Sequence, residues 1–200
     1  MKKYNIPIIL LISAMAIFFT GCGIFSLHPL YHQEDLILNT SLIGTWQNAE
    51  DEGTFVKIDT LKDNKYEFVL IDDEDTVSFV MGLLKLKDQY FIDLYPPDDC
   101  PFFAGNCDML ENMFRNYIPA HTFLKFDFLD NDIVLTEFDN ERLIKLFQQN
   151  RVRLPHEMIG DGDSDDYVVI TASTNDLQKF ISRYANDKEA FNAPETYHRL

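Results

Sequence analysis

The chain has 200 residues, with 17 basic and 33 acidic side chains and a formal charge of −16 at pH 7. That field repels phosphate backbones and anionic surfaces, which argues against nucleic acid and against a polybasic second membrane anchor. An aromatic content of 14%, with 17 Phe and 9 Tyr, is too high for a disordered chain and suits strands.

The first predicted element is a leader. Lys2 and Lys3 precede an apolar run from Ile6 to Phe19. At about 14 residues the run fits the ~7–15 of a signal-peptide core and falls short of the ~20 needed to span a bilayer, which disfavours an uncleaved anchor. Phe19-Thr20-Gly21-Cys22 ends it, and beyond it the composition turns acidic and aromatic. This tetrapeptide resembles the lipobox of bacterial lipoprotein precursors, with Phe19 where such motifs usually carry Leu. The resemblance implies cleavage before Cys22 and a diacylglycerol on its thiol. It also implies sorting to the outer membrane of a two-membrane cell, because Gly23 rather than Asp follows. More than one acyl chain gives stable anchoring. The expected organisation is a signal peptide over 1–21, a lipidated tether over 22–27 and one globular domain over 28–200, long enough for a full core.

The domain opens with Leu27-His28-Pro29-Leu30-Tyr31, in which Pro29 keeps His28 extended. His28 and His32 lack a matching ligand cluster, so no metal is expected there. Leu42-Ile43-Gly44-Thr45-Trp46 follows. Its Gly44-x-Trp46 is similar to the first-strand signature of lipocalins and related calycin barrels. The resemblance implies that Trp46 closes the bottom of a barrel and that Gly44 permits close packing across it.

A strand meander comes next. Val56 and Ile58 share one face of Thr54–Leu61, Asp63-Asn64 is a turn pair, and Tyr66, Phe68 and Leu70 share a face. After the Asp72–Asp75 turn, Val77, Phe79 and Met81 share a face, and Gly82 is expected to mark a bulge that slips the phase to Leu84 and Leu86. Lys87-Asp88 turns into Tyr90–Tyr95, which Pro96-Pro97 ends. Strands with turn signals every ~8–12 residues indicate an antiparallel barrel or sandwich.

Residues 96–119 interrupt the meander. Cys100 and Cys107 bracket an aromatic loop containing Phe103; outside the cytoplasm the simplest state of two such cysteines is a disulfide. A short helix after Asp108 would place Leu110, Met113, Phe114 and Tyr117 on one face. Thr122–Phe128 and Ile133–Phe138 resume the sheet. A helix capped by Asp139 or Asn140 buries Leu143, Leu146 and Phe147. Asp161–Asp166 has Asp at alternate positions, but Asp166 and Ala172 stand where a calcium loop needs Gly and Glu, so a solvated turn is expected. Tyr167–Thr171 reads as a buried strand, and Ser173-x-x-Asp176 as a capping box before a helix with Leu177, Phe180, Ile181 and Tyr184 inward. A short helical turn is expected near Phe191.

The predicted fold is mainly β: an antiparallel lipocalin-like barrel or strongly curved sheet with two C-terminal helices. Four marks, His28-Pro29-Leu30-Tyr31, Gly44-Thr45-Trp46, Ile92-Asp93-Leu94-Tyr95-Pro96 and Pro119-Ala120-His121-Thr122-Phe123, together resemble a bacterial lipoprotein family of no assigned activity with such a barrel. The chain carries no Gly-x-Ser-x-Gly elbow, phosphate-cradling Gly loop or His-Glu-x-x-His, so no catalytic residue, metal or cofactor is expected. His121 with a distant carboxylate could form an acid–base pair; a strand His satisfied by one hydrogen bond is commoner. Two functions remain. One is a barrel binding a small apolar ligand or lipid, with Phe68, Phe79, Phe103 and Phe126 as pocket residues. The other is a non-catalytic structural or interaction module of the cell envelope. The partners are then the membrane, through the Cys22 lipid, and a small apolar ligand; the sequence sets no oligomeric state.

Overall fold

A computed structural model describes residues 24–73, 75–97, 118–160 and 167–200. Among them eight antiparallel strands close into a barrel. Seven are consecutive: β2 (Gly44–Asn48), β3 (Thr54–Thr60), β4 (Lys65–Asp72), β5 (Asp75–Leu86), β6 (Gln89–Tyr95), β7 (Thr122–Leu129) and β8 (Asp132–Glu137). The eighth, β11 (Glu195–Arg199), pairs with both β8 and β2 and closes the ring. A three-stranded sheet lies outside it. There β1 (Ile24–Ser26) runs parallel to β10 (Tyr167–Ile170), which pairs antiparallel with β9 (His156–Ile159). Helices α1 (Asn140–Gln148) and α2 (Thr174–Tyr184) complete this outer layer.

The hairpins follow from their turn residues. Asp63 and Asn64 both take the left-handed conformation, at φ 60° and 59°, which matches a primed two-residue turn and the twist of β3 and β4. Lys87 and Asp130 do the same in the β5–β6 and β7–β8 turns. These short turns lie at one end of the barrel. The long 96–121 connection leaves from the other end, between the end of β6 and the start of β7.

Two apolar clusters result. Inside the barrel, Val56, Ile58, Phe68, Leu94, Leu124 and Phe126 point inward as the alternation predicts, with Leu70 and Phe79 partly buried against them. Trp46, Tyr66, Met81, Leu83, Ile92, Ile133, Leu135 and Tyr197 fill the rest. The second cluster lies between the outside of β5–β7 and the outer layer. There Leu84, Leu86, Phe91 and Phe123 meet Leu143, Ile144 and Phe147 of α1 and Leu177, Phe180 and Ile181 of α2.

Several expectations need correction. Gly82 makes no bulge: β5 pairs continuously through it with Lys65 on one side and Asp93 on the other. Leu84 and Leu86 are buried because β5 is covered on both faces, not because its phase slips. A Cβ at Gly82 would come within 2.8 Å of the Tyr31 ring and 2.9 Å of Leu36 Cδ2, so the glycine admits the N-terminal segment against the barrel wall. Ile24–Ser26, read as tether, is strand β1. The strand expected at Tyr167–Thr171 is present as Tyr167–Ile170, in the outer sheet, and β11, with β9, is absent from the sequence reading. The short turn before Phe191 is present at Lys188–Ala190. In α1, capped by Asp139, Ile144 is buried and Leu146 only partly.

Candidate functional site: the barrel interior and the Asp93–His121 junction

At the short-turn end the barrel is plugged by the residues around Gly44 and Trp46. Trp46 Nε1 donates to the Leu42 carbonyl at 3.0 Å. Arg199, from the last strand, lays its guanidinium over the Trp46 ring, 4.9 Å from the centroid. It donates to the Ser41 and Ile43 carbonyls at 2.7 and 2.6 Å. Gly44 has φ +150°, and a Cβ there would sit 3.2 Å from an Arg199 nitrogen. The close packing expected across Gly44 is therefore the passage of Arg199, which no local pattern in the C-terminal pentapeptide announces.

Above this plug the interior is packed. Tyr66, Met81, Leu83, Ile92, Phe126 and Ile133 have no exposed surface. Of the sequence-predicted pocket residues, Phe126 is in that packed part. Phe68 and Phe79 face each other across β4 and β5, their ring centroids 6.5 Å apart, Phe68 buried and Phe79 half-buried. Phe103 lies outside the described residues, as do Cys22, Cys100 and Cys107, the helix expected after Asp108, and the Asp161–Asp166 loop. Inward side chains become accessible toward the 96–121 end, where Leu70 and Val77 are half-buried. A polar group stands there too. Tyr197 Oη donates to Glu195 Oε2 at 2.9 Å, and Asn48 Nδ2 reaches the same oxygen at 3.5 Å. Burial, with Glu195 nearby, pushes the Glu137 carboxyl above the usual range. Burial likewise raises the Tyr197 phenol.

The second constellation is on the outer wall. Asp93, 1% exposed, points out of β6 with Oδ1 2.6 Å from Nδ1 of His121. Its Oδ2 accepts from the Leu30 backbone N–H at 2.7 Å. The Tyr95 ring lies against His121, tilted by 31°, with centroids 4.4 Å apart. Tyr31 lies over the Lys65–Gly82–Asp93 row, with Lys65 Nζ 5.6 Å from its ring. Desolvation raises the Asp93 carboxyl, and the His121 contact works against that rise. Burial, then Asp93, raises the Tyr31 phenol. Three of the four short motifs, at 28–31, 92–96 and 119–123, thus meet at one place. Asp93 is the carboxylate that His121 lacked in the sequence reading.

Asp93–His121 has the orientation of a base and its orienting acid, but its neighbour cannot complete a nucleophilic set. Ser26 shares a backbone bridge with His121, yet its Oγ is buried and donates to the His28 carbonyl at 2.8 Å. The pair fastens the N-terminal segment to the wall. Gln178 of α2 donates to the Leu30 carbonyl and to Asp35, and Thr174 donates to the Pro29 carbonyl, holding the segment from its other side. His32 bonds Asn175. Among the described residues no group of three or more His, Cys, Asp or Glu could hold a metal ion. No family model, curated protein or solved structure matches the chain.

Proposed function

We propose that this chain is a lipid-anchored protein of the bacterial cell envelope, attached through Cys22, whose barrel is a filled scaffold that works by interaction through its outer surface. The observation that carries this reading is the interior packing: Tyr66, Met81, Leu83, Ile92, Phe126 and Ile133 occupy with zero exposure the space a lipocalin-type container would leave for its ligand. The reading is non-catalytic, in keeping with a buried His–Asp pair whose carboxylate is taken up by the Leu30 N–H and His121. The anchor rests on the Phe19–Cys22 tetrapeptide; no described helix is long and apolar enough to cross a membrane. Attachment is tested by labelling cells with a fatty-acid analogue: Cys22→Ala should abolish the label, and equal label on both forms rejects the anchor.

One observation favours a second reading, a small apolar ligand at the barrel mouth. Leu70, Val77 and Phe79 point inward yet stay half-buried at the end from which the Phe103 segment leaves. Displacement of an apolar fluorescent probe by envelope lipid extract separates the two. The scaffold reading expects no displaceable binding. Displacement that Phe79→Asp or Phe103→Asp weakens establishes the mouth as a ligand site.

A further inference from the structure

The outer layer contains a groove of about 480 Å³ between the segment 151–155 and α2. Its base is apolar, formed by Leu154 and Phe180, which also belong to the outer core. Its rim carries the side chains of Arg151, Arg153, Lys179 and Arg183. The setting makes this clustering informative, because the chain has 33 acidic against 17 basic side chains. Arg142 is paired with Asp187 and Glu189, and Arg199 is consumed by Trp46 and two carbonyls. By contrast, Arg151, Arg153 and Arg183 make no side-chain hydrogen bond or ion pair among the described residues. Asp176 is the one acidic group on the rim, and Lys179 at 2.9 Å and Ser173 at 3.0 Å already hold it. The groove therefore offers three uncommitted guanidinium forks over an apolar base.

We infer that this groove binds a phosphate-bearing amphiphile, with its phosphate between the guanidinium groups and its alkyl or aryl body on Phe180 and Leu154. Arginine forks match phosphate and carboxylate geometry with paired hydrogen bonds. Three unpaired positive charges are better neutralised by a dianionic phosphate than by one carboxylate. The volume suits a small organic ligand, for which ~300–1,000 Å³ is usual, and the apolar base distinguishes such a ligand from inorganic phosphate. The acidic remainder of the surface disfavours an extended polyanion, so selectivity for one compact phosphate follows. The site is separate from the barrel interior and does not depend on whether that interior is filled.

The test is calorimetric titration of the full chain, in neutral detergent, with hexyl phosphate, hexanol and inorganic phosphate. Hexyl phosphate should bind saturably, at least about tenfold more tightly than either of the others. Arg151→Gln combined with Arg183→Gln should weaken it by about tenfold or more, whereas Arg142→Gln, off the groove, should not. Arg151 and Arg183 are exposed and Arg142 is half-buried, so none of the three substitutions opens the core, and unchanged Trp46 fluorescence verifies the fold. Sedimentation of the chain without its Cys22 lipid, with phosphatidate or phosphatidylcholine vesicles, identifies the source. Hexyl-phosphate-sensitive binding to the anionic vesicles alone assigns a lipid headgroup; hexyl phosphate binding without vesicle binding assigns a soluble organic phosphate. Absent saturable binding, equal affinity for hexanol, or full affinity in the double variant would each overturn the inference.

Discussion

The two apolar cores are of similar chemistry but are assembled in different ways. The barrel core comes mostly from neighbouring hairpins, one inward residue in every two, in register across β2 to β8. The outer core joins the opposite faces of β5, β6 and β7 to helices and short strands from the chain's far ends. One polar junction, Asp93 with His121 and Leu30, binds its N-terminal part to the wall. The difference teaches that the middle strands are shared property: Leu83 and Ile92 serve one core, Leu84 and Phe91 the other, and all four are fully buried. A barrel wall covered on both sides has lost one of the surfaces on which alternation depends.

The comparison breaks most severely at the junction. Asp93→Ala should cost about 3–5 kcal/mol, because it leaves His121 and the Leu30 N–H buried without a partner. Denaturant unfolding measures this. A loss below about 1 kcal/mol would mean that the outer segment does not depend on the junction. Asp93→Asn can still accept from Leu30 and should recover part of the loss.

That residue also marks what the sequence could and could not reveal. Val56, Ile58, Phe68, Leu124 and Phe126 were legible as inward because each has a charged neighbour on the opposite face of its strand, and Leu70 because it continues the Tyr66–Phe68 alternation. In Met81-Gly82-Leu83-Leu84 both faces are apolar, so the pattern there was misread as a bulge. Strand β11 offers Glu195-Thr196-Tyr197-His198-Arg199, with a single large apolar residue, so no periodicity marks it. The three motifs around Asp93 were visible one by one, but their meeting depends on a fold that brings β6, the residue before β7 and the N-terminal segment together. The Arg151–Arg183 groove escaped notice because its cations come from a loop and a helix that are separate in sequence.

Overfilling the wall should cost less than opening the junction. Gly82→Ala places a methyl against Tyr31 and Leu36, and about 1–3 kcal/mol is expected, as for other small-to-large changes in packed sites. Pairing Gly82→Ala with Tyr31→Ala should relieve most of that cost; strictly additive effects would place the strain elsewhere.

The smallest effect is electrostatic and belongs to the barrel mouth. Burial raises the Glu137 carboxyl, so the folded chain holds its proton at a higher pH than the unfolded chain does. In that window the native state binds more protons, and the contribution of Glu137 to stability is lost as pH rises through it. Asp93, raised by burial, acts in the same direction. Thermal stability should therefore increase as pH falls through the range just above the ordinary carboxylate pKa values. Glu137→Gln should raise the midpoint at the upper pH and flatten the dependence. A midpoint that drops throughout this range, or an unchanged slope in the variant, would contradict the assignment.

The central claim, that the barrel is filled, is tested most directly by making a hole in it. Phe126→Ala removes a ring with no exposed surface, at an expected cost of about 3–5 kcal/mol, and apolar cavities of this kind take up small apolar molecules. The measurement is benzene binding to wild type and to Phe126→Ala, read from the shift of the thermal midpoint with benzene concentration. The account expects no shift for wild type and a saturable upward shift for the variant. An equal saturable shift in the wild-type chain would show that the interior already holds the space of a container.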